Sequence, residues 1–241
     1  MASKMVTDRQ KSSASVVQAA TLQGAVLGAA LAERSVAETG VALDVSGLVN
    51  FLATTLEAST MALINADEAH EQELADDPGA RDARDEAARA LYDDVVSARS
   101  MLTAIFGDGV VDTLGFFGST SRDPVVLARQ GRSVVSRLRA GGLPAPRSTL
   151  VSLDTTSLAD QLDAKVTTLE ERLADVAREG REAQLTLTEK QRALTEHDVI
   201  FSGVATTLTG LFTLAGLPEL AARVRPSRRH AGRTEAEATG E

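Results

Sequence analysis

The apolar residues of the chain recur at helical spacing along most of its length. Between residues 44 and 76 they fall at Val45, Leu48, Leu52, Leu56, Leu63 and Ala66, which is the three-to-four-residue spacing of one buried helix face. Similar patterns predict helices over 15–38, 78–106 and 124–140, and a short one over 110–117. The longest strand-like run is 150–153. The pattern predicts an all-α protein, an elongated antiparallel helical bundle.

Proline, glycine and aspartate mark the expected ends of these helices. The sequence Asp76-Asp77-Pro78-Gly79 predicts a turn, with Asp77 capping a new helix at Pro78, because proline is tolerated at the first helical position. Asp123 and Pro124 predict another helix start in the same way. The acidic run from Asp67 to Glu86 would then form the tip of a helical hairpin.

The longest predicted element is a coiled-coil-like helix near the C-terminus, within 157–225. Heptad positions a and d, counted from Val166 and Leu162, are apolar at all but three places. The exceptions are Gly180, Lys190 and His197. The apolar stripe formed by positions a and d is called the seam below. A polar residue in the seam can fix the register of helix packing, which is the role expected of His197.

These elements predict a simple domain organisation. A disordered lead (1–14) precedes a helical bundle (15–140), and a Gly/Pro linker (141–156) leads to the long helix that completes the bundle (157–225). A disordered tail follows (226–241).

Two stretches without charge allow alternative environments. Residues 199–217 and 14–32 contain no Asp, Glu, Lys or Arg. A helix that is apolar almost all round is either buried in protein or inserted in lipid. Burial of the two stretches against each other is the favoured interpretation, and membrane insertion of 199–217, with 14–32 as a possible partner, is the alternative.

Composition and charge narrow the functional classes. The chain of 241 residues has a formal net charge of -9, 3% aromatic residues and no cysteine. Acidic surfaces repel nucleic-acid phosphates, and few aromatic rings are present to stack on bases, so no nucleic-acid partner is expected. Thiol catalysis and thiolate metal sites are excluded. A cytoplasmic, bacterial protein fits this composition.

No catalytic or cofactor-binding motif is complete. His70-Glu71-Gln72-Glu73-Leu74 lacks the second histidine of a zinc-protease helix. Asp67-x-x-His70 resembles half of a carboxylate-bridged di-iron site, but Leu194 stands three residues before His197, where the second pair needs a carboxylate. We therefore expect no catalytic residues, no metal site and no cofactor.

The sequence favours a non-enzymatic structural or scaffolding protein that self-associates through helix packing. Neither predicted helix, 44–76 or 78–106, is long enough to cover the long helix, so a homo-oligomer is expected. Its interface is predicted at Leu187, Leu194, His197 and Phe201, and an acidic docking patch for a basic protein at Asp76, Asp77, Asp82 and Asp85. The alternatives are a membrane-associated helical protein and a metal-dependent helical-bundle enzyme.

Overall fold

The computed structural model is all-α, as the sequence predicts. It describes residues 3–116, 118–147 and 153–238, except the side chain of Asp77. The helices are α1 (Lys4–Thr39), α2 (Ser46–Phe106), α3 (Asp108–Thr113), α4 (Pro124–Ala140), α5 (Thr155–Leu214), α6 (Pro218–Val224) and α7 (Glu235–Ala238). Within those ranges there is no β-strand, and one antiparallel bridge joins Pro226 to Thr234. The long C-terminal helix is α5, with 60 residues.

The helix ends follow local chemistry. The Asp123 carboxylate accepts a hydrogen bond of 2.9 Å from the Val126 amide, and Pro124 occupies the first turn of α4. Asp154 accepts from the amides of Thr156 and Ser157, so α5 begins slightly before the predicted Ser157. At the end of α1, Gly40 has a φ of 77°, a left-handed conformation that glycine adopts without steric cost.

The predicted hairpin at Pro78 is wrong, because α2 is a single helix of 61 residues that includes Pro78. A proline inside a helix removes one backbone N–H, so the carbonyl four residues earlier, that of Leu74, loses its helical partner. Leu74 and Pro78 are both exposed, and water can reach that carbonyl. The nearest buried apolar residues are Leu63 before the proline and Ala88 after it, so packing holds the helix at a distance on either side of an exposed stretch.

Both ends of the chain are more ordered than the sequence pattern indicates. Instead of a disordered lead, α1 begins at Lys4, and the Val6 side chain is fully buried. Instead of one helix to residue 225 and a disordered tail, α5 ends at Leu214 and α6 and α7 follow. Thr234, between α6 and α7, is fully buried, so the C-terminal segment packs on the rest of the protein.

The chain divides into two compact units. The terminal unit comprises residues 1–73 and 183–241, and the central unit comprises residues 74–182. The helices α2 and α5 contribute segments to both, so the division does not follow the predicted linker at 141–156. Residues 148–152 of that linker lie outside the described ranges.

The terminal unit is built on α1, α2 and α5. Its core includes Val16, Ala20 and Leu27 from α1, Val49 and Leu56 from α2, and Phe201, Leu208 and Phe212 from α5. Asp67 contacts Lys190 and His70 contacts Thr186, so α2 and α5 run antiparallel. α6 covers one side with Ala221 and Val224.

The central unit packs α4 against α2 and α5. Gly131 allows the closest approach, because a Cβ there would lie 2.6 Å from Val166 and 3.6 Å from Leu91. Next to it, Arg132 forms ion pairs with Asp163 and Glu170 of α5.

Candidate functional site

The polar interruptions of the α5 seam meet polar partners on α1 and α2. Two of the three exceptions in the heptad pattern, Lys190 and His197, lie in the terminal unit, and each contacts a side chain from another helix. They form two polar clusters inside an otherwise apolar core. These clusters are the most unusual chemistry that the described residues contain.

The first cluster is a buried ion pair. The Lys190 ammonium lies 2.6 Å from an Asp67 carboxylate oxygen, and the Asp67 side chain is 0% exposed. Ser3 donates to the same carboxylate from its backbone amide (2.7 Å) and its hydroxyl (3.0 Å). Burial by itself raises the pKa of Asp67, but these hydrogen bonds and the Lys190 charge outweigh burial and lower it. The carboxylate therefore stays ionised inside the core.

The second cluster joins a serine, a histidine and an aspartate. The Ser13 hydroxyl lies 3.0 Å from Nε2 of His197, and Nδ1 of His197 lies 3.5 Å from Oδ1 of Asp198. Arg9 donates two hydrogen bonds to Asp198, at 2.7 and 2.8 Å. Burial raises the pKa of Asp198, but the Arg9 and His197 interactions prevail and lower it to about 2. His197 is fully buried and stacks near Phe201.

The C-terminal segment closes over this second cluster. Gly232 has a φ of 68° and fits directly against Asp198 and Arg9, where any Cβ atom would collide with both. The Ser12 hydroxyl donates to Glu237, and the Thr234 amide donates to the Ser12 oxygen at 3.3 Å. Arg233 lies 3.6 Å from Asp8. The segment therefore packs against the Asp198 and Arg9 side of this cluster.

The order Ser13–His197–Asp198 resembles that of a serine nucleophile with its base and orienting acid. Acyl transfer also needs backbone or side-chain donors aimed at a developing oxyanion beside the nucleophile. Ser13 lies within α1, beyond its first turns, where the neighbouring amides are bonded to carbonyls one turn earlier. These amides therefore do not form an oxyanion site beside the serine–histidine hydrogen bond.

A groove of about 940 Å³ runs between α1 and α2 in the terminal unit. Val17, Met61 and Ile64 supply apolar walls, and Ser13 reaches its floor. Four charged residues also line it: Lys11, Glu57, Arg223 and Glu237. The groove therefore combines apolar surface with charge over its whole length.

The predicted interface residues are divided between core and partly covered positions. His197 and Phe201 are fully buried within the terminal unit, so they stabilise the single chain. Leu187 and Leu194 are half-buried on α5. His70 and Asp67, which resemble half of a di-iron site in the sequence, contact other residues. Nδ1 of His70 lies 3.0 Å from the Thr186 hydroxyl, and Asp67 pairs with Lys190.

The predicted acidic docking patch lies along α2 rather than at a hairpin tip. Asp76 and Asp82 are exposed, while Asp85 is half-buried and pairs with Arg84 at 2.6 Å. The side chain of Asp77 lies outside the described residues. A helix spreads the carboxylates of Asp76, Asp82 and Asp85 around its surface, because successive residues are about 100° apart.

Two helices of the terminal unit carry apolar stripes on their outer faces. The outer stripe of α1 consists of Leu22, Ala25, Val26 and Ala29, and the outer stripe of α2 consists of Leu48, Phe51, Ala58, Met61 and Ala62. All nine residues are exposed. Leu22 is 68% and Phe51 is 64% exposed. α1 meets α2 through its opposite side, where Gly24 contacts Val49.

By length and composition, α1 and α2 each contain a stretch apolar enough to cross a membrane. Only 28% of that stretch in α1 and 33% in α2 is buried inside the protein. Core helices of soluble proteins pass the same test but are mostly buried, so these two leave unusual apolar surface uncovered.

Comparison with known protein families, with curated proteins and with solved structures gives no match.

Sequence reasoning identified Lys190 and His197 as anomalies but missed Ser3, Ser13, Arg9 and Asp198. The available signal was the seam itself, because a charged residue at an a or d position needs a polar partner on the facing helix. The pattern does not say which helix faces it, and serines occur at many positions of the chain.

Proposed function

We propose that this chain is a non-enzymatic structural protein that self-associates through helix packing. The contact is made by the outer stripes of α1 and α2, in place of Leu187, Leu194, His197 and Phe201. The observation that carries the proposal is the exposure of these stripes: the whole α1 stripe, and Leu48 and Phe51 of the α2 stripe, lie in segments that lack charge, from Ser12 to Ala32 and from Val45 to Leu56. Exposed apolar surface of this extent is typical of an interface.

The spacing of the stripes suits packing against another helix. Leu48, Phe51, Ala58 and Ala62 recur at three-, seven- and four-residue steps, and so fall on one side of α2. Small residues between large ones, as in Leu22, Ala25, Val26 and Ala29, let a second helix approach closely. The occupant that matches such a surface most simply is the same surface of a second copy, since two-fold dimers use one patch twice.

A second protein copy is favoured over lipid because charge lies beside the stripes. Lys11, Glu57, Arg223 and Glu237 line the groove between α1 and α2, at the same level of the unit as Met61 and Val17. Charged side chains within a bilayer cost several kcal/mol unless they reach water or a partner. A protein interface can leave the groove hydrated at its rim.

The chemistry of the core supports a non-catalytic role. The backbone amides beside Ser13 are used within α1, so they offer no donor to an oxyanion. The Asp67 carboxylate is engaged by Lys190 and twice by Ser3. The two polar contacts favour one packing register of α1, α2 and α5.

The test is sedimentation equilibrium at tens of micromolar, comparing the wild type with Phe51→Glu. We expect the wild type to be an oligomer and Phe51→Glu to shift it to monomer, because burying an unpaired carboxylate in an apolar interface costs several kcal/mol. Val125→Glu is the matched control, since Val125 is a 53% exposed apolar residue of α4 in the central unit. A monomeric wild type contradicts the proposal.

Membrane association is the second candidate, and the span-like stretches of α1 and α2 favour it. Recovery of the protein with membranes after a carbonate wash would support insertion. The Phe51→Glu variant would then lose membrane recovery, whereas an oligomer that remains in the soluble fraction supports the first proposal.

A further inference from the structure

We infer that a cavity in the central unit binds a small organic carboxylate. The cavity measures about 600 Å³ and lies between α2 and the start of α4. Its lining includes the buried apolar side chains of Ala88 and Leu127, the aromatic ring of Tyr92, and five charged residues. Cavities of this size that combine apolar walls with a few polar groups are typical of small-molecule sites. This inference does not depend on self-association.

The five charged residues leave one positive charge in excess, because three are arginines and two are aspartates. Arg84 already pairs with Asp85, since its guanidinium donates two hydrogen bonds to one carboxylate oxygen, at 2.8 and 2.6 Å. Among the described residues, no carboxylate, that of Asp93 included, lies within ion-pair distance of Arg89 or Arg122. An excess of one charge matches a single carboxylate rather than a doubly charged phosphate.

Arg122 is held over an aromatic ring before any ligand arrives. Its guanidinium carbon lies 5.2 Å from the centre of the Tyr92 ring, which is half-buried in the wall of the cavity. This cation–π contact restricts the guanidinium but uses none of its N–H donors. Two of these donors, side by side, match the two oxygens of a carboxylate. A group that is oriented in advance loses less entropy when it binds.

Arg89 brings a second guanidinium to the same cavity from another element. It lies on α2, three residues before Tyr92, so both residues share one face of that helix. Arg122 lies in the segment that precedes α4. The apolar side chains of Ala88 and Leu127 then face the body of the ligand. The lining therefore favours a carboxylate that carries a compact apolar group.

The fluorescence of Tyr92 provides the test, because the chain has one tyrosine and no tryptophan. The probes are hexanoate, an aliphatic carboxylate, and hexanamide, which has the same apolar body without the charge. We expect hexanoate to change the tyrosine emission in a saturable way and hexanamide to cause no saturable change. No saturable change with hexanoate, or equal binding of hexanamide, would overturn the inference.

Two variants and a matched control locate the binding. Arg89→Gln and Arg122→Gln should each bind hexanoate about tenfold more weakly, because one charge-assisted contact is worth about that factor. Arg129→Gln should weaken binding less than about twofold, since Arg129 is an exposed arginine of α4 that does not line the cavity. Equal losses in all three variants would mean general attraction to positive charge and would contradict the inference. Circular dichroism checks that each variant keeps its helices.

Discussion

At the scale of single residues, the seam of α5 is specified by two polar contacts. Lys190 and His197 interrupt the apolar heptads, and each is matched by a side chain on a facing helix, Asp67 on α2 and Ser13 on α1. A shift of either helix by one turn would leave a buried charge or hydroxyl without its partner. The polar contacts therefore favour one register of the three helices.

Lys190→Met is expected to destabilise the protein by about 3–5 kcal/mol, because it leaves the Asp67 carboxylate buried without a countercharge. Urea unfolding measures the change. Asp67→Leu combined with Lys190→Met should recover most of the loss, since it removes both charges together. Lys165→Met, on an exposed position of the same helix, is the control. If Lys190→Met lowered the free energy of unfolding no more than the control, the ion pair would contribute nothing to stability.

Asp198 should make stability depend on acid pH. Its pKa is about 2 in the folded protein and about 3.9 in an unfolded chain, so the unfolded state binds the proton first as pH falls. Its stabilisation, roughly 2 kcal/mol, is complete above about pH 4 and is lost progressively as pH falls towards 2. Urea unfolding at several pH values should give a shallower dependence for Asp198→Asn. Asp94→Asn, on the surface of α2, should keep the wild-type dependence.

At the scale of elements, α2 is the clearest departure from the sequence pattern. The sequence around Pro78 predicts a helix start, because aspartates precede the proline and a glycine follows it. The helix nevertheless continues through an exposed stretch, with buried residues ending at His70 before the proline and resuming at Ala88 after it. Because α2 is continuous, one helix does match α5 in length: α2 has 61 residues and α5 has 60.

Pro78→Ala distinguishes a continuous α2 from a hairpin. Alanine restores the missing N–H and removes the clash with the preceding turn, so stability should rise by about 1–3 kcal/mol. In a hairpin, Pro78 would occupy a favourable first position, and the same change would be neutral or unfavourable. Pro124→Ala tests that case directly, since Pro124 begins α4. Thermal unfolding followed by circular dichroism measures both variants.

At the scale of the whole molecule, self-association should be visible in stability. Only folded subunits associate, so a higher protein concentration favours the folded state. The melting temperature of an oligomer should therefore rise by several degrees between about 1 and 100 µM protein. Phe51→Glu should remove this concentration dependence. Val125→Glu should retain it. A melting temperature independent of concentration in the wild type would contradict self-association in that range.

The sequence by itself determined the longer helices and several of their ends. Helical periodicity, the Asp123 cap and Gly40 act over a few residues, so the pattern carries them. It also marked Lys190 and His197 as residues that need partners. The hairpin tip predicted for the acidic run from Asp67 to Glu86 depended on a turn at Pro78, and α2 makes no turn there.

Only the tertiary structure decided which helices meet and where the ends of the chain lie. The partners of Lys190 and His197 are 123 and 184 residues away in sequence, and no local pattern encodes that distance. Val6 and Thr234 lie in polar stretches, and only packing against the three-helix core buries them. The continuation of α2 through Pro78 is also a property of the structure: the stretch is exposed, so water can replace the backbone hydrogen bond that the Leu74 carbonyl loses.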